Sequence, residues 1–252
     1  MPGLGVPEQV FAFLLVFARV GSMLMLLPAL GDTSIPPRVR LSLGLVISFI
    51  VFALVGSRLP AMPTGVFPMF GLLFGEIVIG LFIGGAARLL MSALHVAGTV
   101  IAYNTGLAAA QAFDPAQGTQ SAIFSSFLTV LGVTLIFTTD LHHLMIAAMN
   151  DSYRVFPPGA APDVNDFAAM AVRTVADSFR LGVQMASPFL VYGLIFNVGL
   201  GLVARLMPQL QIFFIAMPIN ILLGYGILIL SLGAMMAWFL RHVEEIILQF
   251  LV

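Results

Sequence analysis

Neither cysteine nor lysine occurs anywhere in this 252-residue sequence. Without cysteine there is no disulfide, thiol nucleophile or thiolate metal site, and the redox compartment is left open. All ten basic residues are Arg, and eleven acids bring the net charge to −1, so no basic patch exists for nucleic acid. Charge of any sign is scarce, 8% of residues, where soluble domains carry roughly a quarter. Catalytic signatures are missing too: there is no HExxH, GxSxG or phosphate loop. Residues 199–204, GLGLVA, formally match a dinucleotide fingerprint but lie in an apolar helical run with no strand before them. Neither an enzyme nor a cofactor is expected. What is present is apolar: 60% hydrophobic residues and a mean hydropathy of +1.10. The chain reads as an all-α membrane protein, and its length fits one unit, 1–252, better than two soluble domains. The first ten residues hold no Lys or Arg, which argues against a cleaved secretory signal.

A helix crossing the bilayer core needs about 20 apolar residues. Residues 10–30 qualify, with Arg19 near the middle, followed by a polar turn over 31–40. A second segment covers 41–59 and ends at Pro60, Pro63 and Pro68. A third covers 69–90, with Glu76 inside it and Arg88 at its end. Residues 92–103 read as a separate short helix. The run 123–139 ends at Asp140, His142 and His143, and 144–149 extend it past a bend. Residues 151–177 form a polar connector with an amphipathic helix from about Asn165. A hairpin of 179–206 and 212–240 and an amphipathic tail follow. The count is five to six hydrophobic segments. Arg is scattered over nearly every connector, so the positive-inside bias does not orient the chain.

One stretch, 98–122, is small and polar although apolar helices flank it. Its ionisable groups are Tyr103 and Asp114, beside the amides of Asn104, Gln111, Gln117 and Gln120. Bare backbone at membrane depth is tolerated only where protein or a water-filled cavity encloses it. The stretch is expected to line or close a cavity.

Small residues four apart let helices approach closely in lipid. Gly71 with Gly75, and Gly80 with Gly84, form such pairs, and Arg88 shares the second pair's face. Gly193, Asn197, Gly201 and Arg205 form another stripe. Packing within the chain competes with packing against other subunits as the explanation. Arg19 and Glu76 lie deepest in apolar segments, where a charge costs at least ~2.5 kcal/mol. They are expected to face protein or water, and a mutual pair fixing helix register competes with an ion pathway or a subunit contact. For Asp140, His142 and His143 a loop-end role is preferred to a metal site, because adjacent His residues on a helix point to different faces.

Several blocks together resemble the FliR family, the export-gate subunit of flagella with counterparts in virulence type III secretion. They are RVGSMLMLLPALG (19–31), IPPRVRLSLGL (35–45), GEIVIGLFIG (75–84), residues 98–122 with their FDP and QGTQS, residues 140–159, and MPQLQIFFIAMPINILLGYG (207–226). The likeness runs in order along nearly the whole chain and is weakest over 160–177. It implies a non-enzymatic part of a protein-conducting complex in the bacterial inner membrane, at the flagellar basal body. Bent helical hairpins would pack there with FliP-like and FliQ-like subunits, beside FlhB-like and FlhA-like proteins that handle unfolded export substrates. It also implies that the loop 106–122 is a plug at the pore constriction. The residues concerned are Gly106, Leu107, Ala109, Gln111, Phe113, Asp114, Pro115, Gln117, Gly118 and Gln120. A small-solute secondary transporter, with helices broken at Pro188 and Pro218, and a virulence-system subunit are the competing readings.

Overall fold

A computed structural model describes residues 5–28, 30–31, 35–106, 121–159, 164–207 and 212–249. Regular structure among these residues is helical throughout. Helix α1, Val6–Leu26, starts with Pro7 in its first turn, where the missing N–H costs nothing. The Gly5 N–H donates to the Glu8 carboxylate at 3.1 Å, which closes that end. Helix α2, Pro37–Val55, begins at the Pro-Pro pair and packs along α1, then ends in a short 3-10 turn, Gly56–Arg58.

Helix α3 runs unbroken from Val66 to Asn104, 39 residues. The two segments expected at 69–90 and 92–103 are therefore one helix. Hydropathy falls at Ser92, His95 and Thr99, but no proline interrupts the backbone ladder there. The hydroxyl of Thr99 is satisfied by the carbonyl of His95 at 2.9 Å. A drop in hydropathy marks a change of surroundings and does not by itself end a helix.

Helix α4, Ser121–Thr138, and helix α5, Leu141–Val155, are separated by a 75° bend. Asp140 makes that bend in the left-handed region, at φ 58°. The expected break after 139 is present, and α5 runs six residues past the expected 149. The amphipathic helix, expected from about Asn165, is α6, Val164–Met185. It continues to Ala186, where α7, Ser187–Leu206, begins with Pro188 in its first turn. The first arm of the hairpin is thus shorter than the expected 179–206. Pro188 cannot donate to the preceding turn, so the helix restarts at that point. Helix α8, Ile212–Leu248, carries on through Pro218 and takes in most of the segment expected as a separate tail. Five of these helices are long and apolar enough to cross a membrane, or six if α4 and α5 together make one bent span. The protein is all-α and multi-pass by this measure.

The chain divides into two compact units. One comprises residues 1–90, 136–175 and 243–252, and its core includes Leu15, Val16, Val20, Ile79, Leu90, Met149 and Tyr153. The other comprises 91–135 and 176–242, around Leu94, Ala97, Ile101, Leu128, Phe189 and Phe239.

Candidate functional site

Arg19 has no exposed surface and sits at the centre of the first unit. Its Nε donates to Glu76 Oε2 at 2.5 Å and its Nη2 to Glu76 Oε1 at 3.1 Å, a two-pronged pair between α1 and α3. Nη1 donates to the carbonyls of Ser152 and Phe156, at 3.0 and 2.9 Å. Those carbonyls lie at the end of α5, where the helix dipole is negative; that of Ser152 also accepts from the Phe156 N–H at 2.9 Å. The guanidinium also stands 4.1 Å from the centre of the Tyr153 ring, a cation–π distance. One buried side chain therefore joins three helices. The planar fork of Arg suits this and an ammonium would not, which is a physical use for a basic complement made only of Arg.

Gly80 and Gly84 make the approach of α3 to α1 possible. A Cβ on Gly80 would collide with the Ser22 hydroxyl and the Arg19 carbonyl, and one on Gly84 would lie 2.6 Å from the Met23 carbonyl. Packing within the chain accounts for this pair. Arg88, expected on the same face, is exposed instead. Gly71 and Gly75 have nothing within 4 Å of an added Cβ.

The second unit holds the residues that lead into 107–120. Asn104, Thr105 and Gly106 each meet a different opposing residue. Asn104 fills the space that a side chain on Gly193 would need, and Thr105, fully buried, does the same at Gly224. Gly106 has φ 75°, and a Cβ there would lie 2.9 Å from Asn220 Nδ2. Asn220 Oδ1 accepts from the Tyr192 hydroxyl at 2.7 Å. Upstream, Gly98 lies against Ser125, whose hydroxyl donates to the His95 carbonyl at 3.1 Å. Consecutive residues of α3 and its last turn are thus seated on α7 and α8. The remaining expected loop residues (Leu107, Ala109, Gln111, Phe113, Asp114, Pro115, Gln117, Gly118 and Gln120) lie outside the described residues.

The stripe on α7 divides. Gly193 is buried against Asn104, while Asn197, Gly201 and Arg205 are exposed, and Gly201 has no neighbour within 4 Å of an added Cβ. Asp140, His142 and His143 place one ligand atom each within 4.8 Å of the others. The two imidazole rings lie 4.1 Å apart, so the expectation that adjacent His residues diverge fails at this first helical turn. Asp140 and His143 are largely exposed, 3.5 Å apart, and sit at the N-terminus of α5, whose dipole disfavours a cation. A cavity of about 270 Å³ beside the α6–α7 break is lined by Gln184, Met185, Ser187, Pro188, Ser231 and Trp238, with no charged group to hold an ion.

Tyr153, Tyr192, Asn220 and Gly224 were not singled out by sequence. Asn220 carried a readable signal, since it is the one amide within the apolar helix α8, and such a residue needs a partner. Tyr153 carried none.

Comparison with known proteins gives relatives along nearly the whole chain. Residues 10–246 match the model of the family described as bacterial export proteins, family 1. The flagellar biosynthetic protein FliR of Caulobacter vibrioides is 46% identical, over 94% of each chain. FliR of Escherichia coli is 31% identical over 89% of this chain and 85% of its own length. The surface presentation of antigens protein SpaR of Shigella flexneri is 25% identical over 88% of this chain and 86% of its own. An all-α, multi-pass chain that matches these relatives almost end to end belongs to the FliR family of bacterial export proteins.

Proposed function

We propose that this chain is a core subunit of the flagellar type III export gate. It would form, with FliP-like and FliQ-like membrane subunits and beside FlhB-like and FlhA-like proteins, a channel for unfolded flagellar proteins. The likeness to FliR over 94% of the chain carries this reading. The flagellar assignment is favoured over a virulence system because FliR of Caulobacter vibrioides stands at 46% identity and SpaR at 25%. The site would be the bacterial inner membrane at the flagellar basal body. The chain acts as one export-gate domain without catalysis of its own, and the driving force comes from other components. In this reading the loop 106–122 closes the resting channel, and Asn104, Thr105 and Gly106 hold its base on α7 and α8. Exposed apolar faces on α2, α7 and α8 support packing against further subunits, since large residues such as Phe49, Leu194 and Leu230 lie open on them.

The test is complementation. Expressed in a bacterium lacking its own FliR, the chain restores secretion of flagellar proteins and co-purifies with the FliP-like and FliQ-like subunits. Solute uptake by the chain alone, without secretion or co-purification, would instead establish the transporter reading.

A further inference from the structure

Helices α1 and α2 leave a groove between them at the end where residues 27–36 connect them. It encloses about 280 Å³ and is walled by Phe17, Gly21, Leu24, Leu41 and Gly44, with Arg40 as its one charged lining residue. All of these residues belong to the first compact unit. The two glycines do not serve close packing, unlike Gly80 and Gly84. Within 4 Å, a Cβ on Gly21 would meet only the Phe17 ring, at 3.8 Å, and one on Gly44 only Phe17 and Leu24, at 3.8 and 4.0 Å. Small residues in membrane helices commonly let backbones approach. Here they leave room. Empty apolar volume destabilises in proportion to its size, so the groove calls for an occupant.

Arg40 sets the kind of occupant. Its Nη1 donates to the Gly31 carbonyl at 3.2 Å, which fixes the guanidinium at the rim. Its Nε is buried and has no hydrogen-bond partner among the described residues. A cationic donor taken out of water without an acceptor is costly, and an anion satisfies it. Nε and a terminal nitrogen form one edge of the guanidinium, the edge that receives two oxygens of a phosphate side by side. The first turn of α2 holds no acid to compete, and its N-terminal dipole favours an anion at the same level.

Depth puts these two features in order. Helices α1 and α2 are each long and apolar enough to cross a membrane, so their joined ends lie at a membrane surface. Phe17 is eight residues in from Met25, about 12 Å along α1. The cation therefore stands at headgroup level and the apolar walls at acyl depth, the arrangement of basic pockets between membrane helices that hold anionic headgroups. Phe49, open on α2, lies about 140° round the helix from Gly44, so a subunit packed on that face leaves the groove free.

We propose that the α1–α2 groove holds one anionic phospholipid, with its phosphate on Arg40 and an acyl chain between Gly21 and Gly44. Binding needs only that α1 and α2 span a membrane and does not depend on the export-channel reading.

The test follows the lipid directly. The full chain, with the subunits that co-purify, is reconstituted into phosphatidylcholine vesicles. These carry a trace of phosphatidylglycerol or phosphatidylcholine with a photoreactive acyl chain, and adducts are mapped by peptide mass spectrometry. Phosphatidylglycerol should mark residues 17–25 and 37–44 about tenfold more than phosphatidylcholine does, the discrimination of one charge-assisted pair. Arg40→Gln should bring that signal down to the phosphatidylcholine level, whereas Arg38→Gln, at the exposed cation nearby, should leave it unchanged. Gly21→Leu, whose side chain has room to enter, should remove the adducts of both lipids from these segments. Equal marking by the two lipids in the unaltered chain, a result that needs no variant to fold, overturns the proposal. So does marking that survives Arg40→Gln, and so does an equal loss in Arg38→Gln, which reduces the site to a diffuse basic rim. Marking absent from both segments while co-purified subunits are marked shows protein covering the groove, and overturns it as well.

Discussion

The phenolic hydroxyl of Tyr192 on α7 donates to Asn220 Oδ1 on α8, 2.7 Å away, and the same amide's Nδ2 stands over Gly106. A single amide thereby ties the hairpin together and bounds the last turn of α3. Tyr192→Phe should lose one hydrogen bond, about 1 kcal/mol. Asn220→Leu should cost more, because it removes the acceptor and places a bulkier group beside a left-handed glycine. Thermal unfolding in detergent checks the order, and a Tyr192→Phe chain less stable than Asn220→Leu would contradict it.

For Arg19 and Glu76 the expectation is strong non-additivity. Removing either partner leaves a buried charge alone, which costs about 3–5 kcal/mol. Replacing both, as Arg19→Met with Glu76→Leu, should cost less than the sum of the two single changes. Arg19→Met should still exceed Glu76→Leu alone, because it also removes the guanidinium from the Phe156 carbonyl and from the Ser152 carbonyl, which keeps only the Phe156 N–H. A double-mutant cycle on the melting transition measures both differences.

Glycines of the same helix should respond oppositely to the same substitution. Gly84→Leu drives a side chain into the α1 backbone and should destabilise by about 1–3 kcal/mol, whereas Gly71→Leu enters open space. In the isolated chain Gly71→Leu should be close to neutral. If it then prevents co-purification with the neighbouring subunits, Gly71 lies at a subunit contact.

Deleting residues 106–122 should leave assembly largely intact while making the membrane leaky to small ions, read as a faster collapse of an imposed ion gradient. A membrane that stayed tight in the presence of the assembled deletion variant would remove the plug role.

Hydropathy made the apolar segments legible, and lone charges among them announced that Arg19 and Glu76 needed company. What hydropathy could not report was helix continuity. The dip at Ser92 to Thr99 looked like an end because composition records solvent, whereas the backbone ladder records only whether each N–H finds its carbonyl. Pro188 and Pro218 show the converse. Both are prolines in apolar runs, yet the first coincides with a restart at Ala186 and the second sits inside α8. The residue type alone does not separate the two. Likewise Gly80 and Gly84 could be recognised as contact glycines, but not which helix they would meet. Tyr153 was silent because an aromatic residue under a guanidinium looks, in sequence, like any other core aromatic.

The 39-residue length of α3 also limits how this protein can be held. At about 58 Å, the rod would have to lean roughly 60° from the bilayer normal to fit within about 30 Å of hydrocarbon, beyond the 0–40° range of tilts that transmembrane helices adopt. One end must therefore stand clear of the lipid.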